Sequence, residues 1–112
     1  MVHILLVDDS EELLLLLRSV LSRLGCEVSC ATNIPDARIV NDFDLAFVDW
    51  NLADGNGLDL LEEFNKRSNS PGLILMSATK PDPVSSERLL SIGASYEPKP
   101  ISPIRLKKIA AL

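Results

Sequence analysis

The chain has no uninterrupted apolar stretch approaching the ~18 residues that a membrane span needs, because Arg18 and its charged neighbours break up the leucines. It lacks the pattern of a secretory leader: Asp8, Asp9, Glu11 and Glu12 stand where the n-region and h-region would have to lie. Basic residues are in the minority, 11 Lys and Arg against 16 Asp and Glu, for a formal net charge of −5. That is the wrong sign for a nucleic-acid-binding face. The expectation is a cytoplasmic domain that engages neither membrane nor nucleic acid. Cysteines number only two, Cys26 and Cys30. Four residues apart on a strand they would be ~13 Å from one another, beyond disulfide reach. With no third or fourth ligand to suggest zinc, they read as small apolar side chains. The single histidine, His3, reads as a structural or sheet-edge residue. Internal repeats, low-complexity segments and linkers are lacking as well.

What is there suits one domain. The chain has 112 residues, 46% of them hydrophobic, and compact domains cluster at ~100–150 residues. A chain of this size buries ~60–70% of its unfolded surface, enough for a core without staples. Residues 3–7 form a short continuous apolar run, the pattern of a strand buried on both faces of a parallel sheet. Ser10 supplies an N-cap, Glu11 and Glu12 suit a first helical turn, and Gly25 suits the end of that helix after Leu24. Residues 26–31 alternate like a strand near a sheet edge, and a short helix follows with Pro35 in its first turn and Ala37, Ile39 and Val40 inward. Further strands are expected at 45–48, 73–76 and 94–98. Between them lie one helix carrying Leu58, Leu60, Leu61 and Phe64, and another from Asp82 or Pro83 to Gly93 with Leu89, Leu90 and Ile92 inward. Ser102 and Pro103 open a last helix. Strand and helix alternate five times with short connections, which predicts an α/β fold: a doubly wound, five-stranded parallel sheet with helices on both faces.

In such sheets function gathers at the carboxyl ends of the strands. The first strand ends in Asp8-Asp9, the third in Asp49, the fourth in Ser77 and the fifth in Lys99. Crowded carboxylates repel one another unless a cation compensates, and Mg²⁺ favours one or two carboxylates with waters and phosphate oxygens. A lysine and a hydroxyl across the same rim suit a phosphoryl group.

With Asp8-Asp9, Val48-Asp49-Trp50-Asn51, Asp54-Gly55-Asn56-Gly57, Ser77-Ala78, and Gly93-Ala94-Ser95-Tyr96 leading to Lys99-Pro100, the chain resembles the receiver domain of two-component response regulators over essentially residues 1–112. The resemblance implies the flavodoxin-like fold and a phosphorylation-controlled signalling module of a phosphorelay. It implies that Asp49 accepts a phosphoryl group from a histidine on a partner kinase or histidine phosphotransfer protein. It implies Mg²⁺ held by Asp8, Asp9, Asp49 and the backbone carbonyl of Asn51. Ser77 matches the hydroxyl that swings toward the phosphoryl group, Lys99 the amine that pairs with it, and Tyr96 the aromatic switch residue. The implied chemistry is self-phosphorylation and autodephosphorylation only, not that of an enzyme, with the signal passed to a downstream output domain or protein.

Blander readings stand beside these. Asp8 could merely cap the first helix, Lys99 be an ordinary exposed lysine, Tyr96 simple packing and Ser77 a turn residue. The whole chain could be a pseudo-receiver, an interaction domain without phosphorylation, or a small phosphohydrolase with an Asp nucleophile. The last needs a D-x-D arrangement where this chain has Asp8-Asp9-Ser10. Departures from the family are Ala53 where a proline is usual, which predicts a more mobile loop, a second helix about one turn short, Pro98 before Lys99, and Ile101 where an aromatic is frequent. Pro98 removes a backbone donor and so predicts that the fifth strand is an edge. Leu112 ends the last helix early, which suggests a truncated chain. Arg105, Lys107 and Lys108 suit the C-terminal end of a helix dipole. Finally, Leu13 to Leu17 are five consecutive leucines, more than one helix face can bury. Leu14 and Leu15 are expected to be exposed and to form a kinase-docking or homodimer surface.

Overall fold

A computed structural model describes residues 1–111. Five strands, β1 (His3–Val7), β2 (Glu27–Ala31), β3 (Leu45–Asp49), β6 (Gly72–Ser77) and β7 (Ser95–Pro98), form one parallel sheet in the order β2-β1-β3-β6-β7. Five helices connect them: α1 (Glu11–Arg23), α2 (Ile34–Arg38), α3 (Gly57–Asn65), α4 (Pro83–Ser91) and α5 (Pro103–Ala110). The loop expected after Asp49 carries a small antiparallel ribbon, β4 (Asn51–Leu52) with β5 (Gly55–Asn56). Leu112, on which the truncation expectation falls, lies outside the described residues.

The unbroken apolar strand runs follow from the two-residue period of a pleated strand. Along β1, Leu5 and Val7 face the layer of α2, α3 and α4, while Ile4 and Leu6 face α1 and α5. The same division sends Ala46 and Val48 one way and Phe47 the other on β3. Both faces must be apolar because both are covered. Four of the five helices start where a side-chain oxygen accepts an otherwise unpaired N–H: Ser10 from Leu13, Asn33 from Asp36, Asn56 from Leu58, and Ser102 from Arg105. Gly25, at φ +86°, ends the first turn-out after α1, a left-handed conformation that a side chain would strain.

Both sheet edges fall where the sequence puts them, β2 on one side and β7 on the other. The Lys99 N–H donates to the Ser77 carbonyl, so by alternation the position before it, Pro98, turns its missing donor to the free edge. His3 has the structural role expected: its Nε2 lies 2.7 Å from Ser29 Oγ on edge strand β2, and its backbone N–H donates to Asp44. Cys26 and Cys30 are free thiols, Cys30 exposed; burial of its neighbourhood pushes the Cys30 thiol up, against the charge of Arg18, which favours the inert protonated form.

Three burial assignments need correcting, two of them inward and one outward. Ile39 is 75% exposed and Leu90 78% exposed. On α4 the neighbour Leu89 occupies the inward position, and consecutive helical residues point ~100° apart, so Leu90 cannot follow it. The third correction concerns α1. Leu14 is buried, in phase with Leu17 and Leu21 at i, i+3 and i+7, and packs in the layer shared with α5. The exposed neighbours are Leu15 and Leu16, at 71% and 59%.

Candidate acidic and phosphoryl site at the strand ends

The sheet order reverses between β1 and β3, and a crevice opens there at the strands' carboxyl ends. Asp8, just past β1, is buried; Asp49 ends β3 and is buried; Asp9 is exposed beside them. Carboxylate oxygens of Asp8, Asp9 and Asp49 lie within 4.8 Å of one another, a group able to hold a metal ion. From the other side of the crevice, Lys99 Nζ reaches Asp8 Oδ2 at 2.6 Å and Asp49 Oδ1 at 3.3 Å.

The two oxygens of Asp8 have separate fates. Oδ1 accepts the Ser10 backbone N–H at 2.9 Å and so shapes the entry to α1. Oδ2 is enclosed, and the lysine beside it lacks the alignment of a hydrogen bond, leaving a buried anionic oxygen matched by charge alone. A capping role therefore accounts for only half of this side chain. Burial pushes the Asp49 carboxyl up, the negative charge of Asp8 pushes it further, and Lys99 and the Asn51 main chain pull against both. Burial alone would lower the Lys99 ammonium, yet the close carboxylate of Asp8, with Asp49 behind it, holds it above its usual value. The crevice thus carries excess negative charge that one lysine only partly offsets. An oxygen-only donor set with an enclosed, donor-poor carboxylate fits a hard divalent cation.

Asn51 follows in β4, exposed, and its main chain hydrogen-bonds the Asp49 carboxylate. Ser77 ends β6, buried, and its hydroxyl is occupied: it accepts the Thr79 backbone N–H at 3.0 Å and shares a hydrogen bond with Thr79 Oγ1 at 3.2 Å. Tyr96, half-buried in β7, donates from its hydroxyl to the Ser77 carbonyl at 3.4 Å and packs on the layer of α3 and α4. Asp8, Asp9, Asp49 and Lys99 thus come together, and Ser77 joins them at the next strand end through its carbonyl, which accepts from the Lys99 N–H and the Tyr96 hydroxyl. Leu14 and Leu15, expected as a docking surface, lie on α1 away from this rim.

Three features escaped sequence reasoning. Gly57 opens α3 directly against β3: a Cβ there would sit 2.0 Å from the Asp49 carbonyl oxygen, and its N–H donates to the Trp50 carbonyl. The Asn56-Gly57 pair reads as a turn signal, which was the available hint. Arg105 forks onto the buried Glu97 at 2.6 and 2.9 Å, so its role is this pair rather than a helix dipole. Arg88 joins α4 to α3, and nothing local in sequence signals it. Size does not locate the chemistry either: a cleft of about 520 Å³ lies at the amino ends of β3 and β6, lined by Asn41, Asp42, Arg67, Ser68 and Asn69.

The model of the response regulator receiver domain matches residues 4–111. The chain is 31% identical over 112 residues to the alginate biosynthesis transcriptional regulatory protein AlgB of Pseudomonas aeruginosa, covering 97% of this chain and 25% of that protein. Among solved structures it is similar to a CheY-like response regulator receiver domain protein from Methanospirillum hungatei, with a TM-score of 0.90, 28% identity, and coverage of 99% of this chain and 91% of that one. The non-phosphorylated HemR receiver domain of Leptospira biflexa aligns at a TM-score of 0.86 and 31% identity, covering 100% of this chain and 96% of that one. The chain spans about a quarter of the length of the first curated regulators it matches. The fold, the order of its elements and these matches agree: the chain belongs to the receiver domains of two-component response regulators.

Proposed function

We propose that this domain accepts a phosphoryl group on Asp49 from a phosphohistidine of a kinase or phosphotransfer protein and passes the signal to an output domain. The observation that carries the reading is the crevice itself: three carboxylates within 4.8 Å, with Lys99 facing two of them and Asp8 Oδ2 enclosed without an aligned donor. Asp8, Asp9, Asp49 and the Asn51 carbonyl would hold Mg²⁺, which neutralises phosphoryl oxygens so that a carboxylate can approach them. The Asp49 carboxylate forms the new O–P bond while the P–N bond to the donor imidazole breaks, and the nitrogen leaves with the electron pair. Lys99 pairs with the resulting acyl phosphate. Ser77 exchanges Thr79 for a phosphoryl oxygen, and Tyr96, hydrogen-bonded to the Ser77 carbonyl, follows that movement. No multiple-turnover activity is expected.

Residues 1–112 act as one input domain, in the cytoplasm, where the kinase and its ATP are found. The length of the matched regulators supports an output segment outside this chain, in AlgB's case a transcriptional regulator's by its name. Of the expected docking pair only Leu15 is exposed, and with Leu16 it forms the apolar part of α1 available to a kinase or to a second copy.

The test is direct. With Mg²⁺ and acetyl phosphate the chain acquires one base-labile phosphoryl group, and with beryllofluoride the fluorescence of the adjoining, half-buried Trp50 shifts. Asp49→Asn abolishes both responses. A variant that responds like the unmodified chain overturns the assignment, as does release of many equivalents of phosphate per chain.

A further inference from the structure

Helix α4 follows the Ser77 strand end by only five residues, yet it is poorly anchored. Of its nine residues only Ser85 and Leu89 are buried, while Val84 and Leu90 stand 67% and 78% exposed. Its other firm attachment is lateral. Arg88, in the last turn, donates from Nε to Glu62 Oε2 at 3.1 Å, and from Nη2 to Glu62 Oε1 at 2.5 Å and to Asp59 Oδ1 at 2.6 Å. Asp59 and Glu62 lie on one face of α3 at i and i+3. One guanidinium thus bridges two carboxylates of a helix that is itself fixed to the Asp49 strand through Gly57. The planar fork demands one relative placement of the two helices, which a flexible point charge would not.

In the same arrangement the Ser77 hydroxyl is turned to Thr79, with no hydrogen bond to Asp49. Any inward movement of Ser77 pulls on residues 78–82 and so on the start of α4. We propose that the Arg88 fork is a releasable latch: it holds α4 in the placement that accompanies the Thr79-bonded Ser77, and so opposes the switch to the phosphoryl-bound state. This inference rests on the reading of Asp49 as the phosphoryl site. A latch made in one state and loosened in the other shifts the equilibrium by its differential strength alone. It is half-exposed, with side-chain accessibilities of 35% for Arg88 and Glu62 and 65% for Asp59. Its effect is therefore a few-fold, not orders of magnitude.

Arg88→Met keeps the aliphatic stem and removes the fork. Amide exchange across residues 83–91 is then expected to speed up about two- to fivefold while α1 is unchanged, the change expected of an exposed charge pair. Beryllofluoride with Mg²⁺, followed by Trp50 fluorescence, is expected to bind about two- to fivefold tighter to that variant. Glu62→Gln with Asp59→Asn reproduces both effects from the other helix, and Arg88→Lys falls between. Unchanged α4 exchange in Arg88→Met overturns the latch, and so does faster exchange with unaltered or weaker beryllofluoride binding. If the unmodified chain fails to bind beryllofluoride, the reading of Asp49 fails instead, and the exchange measurement still decides whether Arg88 restrains α4.

Discussion

Helices α3 and α4 have nine residues each and lie on the same face of the sheet, but they are held by different means. α3 buries Gly57, Leu58, Leu60, Leu61 and Phe64; α4 buries Ser85 and Leu89. Phe64 meets Phe43 edge to face at 5.0 Å, and Arg67 lies over both rings, so the end of α3 is clamped from two sides. The start of α3 is in contact with the Asp49 carbonyl itself. α4 has neither clamp. Apolar burial is short-ranged, collective and hard to undo by degrees, whereas an exposed ion-pair fork is modest and reversible. The helix beside Asp49 is firmly set, and the helix after Ser77 is the more loosely held.

The contrast breaks if the two helices respond alike to loss of their anchors. The largest effect is expected at Phe64→Ala, a loss of about 3–5 kcal/mol for a fully buried aromatic, read from urea denaturation. Next comes Gly57→Ala, at about 3 kcal/mol or the upper end of overpacking costs, because the contact is with backbone that cannot rotate aside. If the carboxylate cluster holds Mg²⁺ as proposed, that variant should also weaken its binding, since the strain falls on Asp49. Leu89→Ala on α4 is expected to cost less, about 2 kcal/mol, as a loosely held helix settles into the space, and Leu90→Ser to stay within about 0.5 kcal/mol. A Leu89 loss equal to that of Phe64 would remove the distinction.

The smallest test is one of pH. Glu62 is held below the usual carboxylate range, first by its hydrogen bond from Arg88. A lowered carboxyl contributes its stability above its unfolded value and loses it as pH falls through the folded one. The Arg88 Nε–H resonance should therefore stay constant from neutrality down to about pH 5 and move below it, as Glu62 protonates.

Much of this was legible in the amino-acid order. Parallel strands announce themselves as apolar runs that stop abruptly, and here they stop on Asp8, Asp49 and Ser77, so the rim could be assembled before any geometry was known. Phase was harder. Five adjacent leucines satisfy every helical phase equally well, and only the later Leu21, in step with Leu17, selects Leu14 as inward and Leu15 as outward. Leu89 and Leu90 pose the same ambiguity with fewer neighbours to resolve it. The ion pairs were out of reach for another reason. Arg88 finds its carboxylates 26 and 29 positions away, a pairing set by how two helices dock and by nothing in their own periodicity.

The outward-facing Pro98 has a consequence of a different kind. The border of a sheet is a template: its row of unused donors and acceptors invites another extended chain, and repeated addition leads to fibres. A proline in that row leaves a gap a newcomer cannot bridge, since no N–H is there to offer. The border formed by β7 is four residues long with its last donor missing. The domain is thereby protected on that side from the most indiscriminate form of recognition.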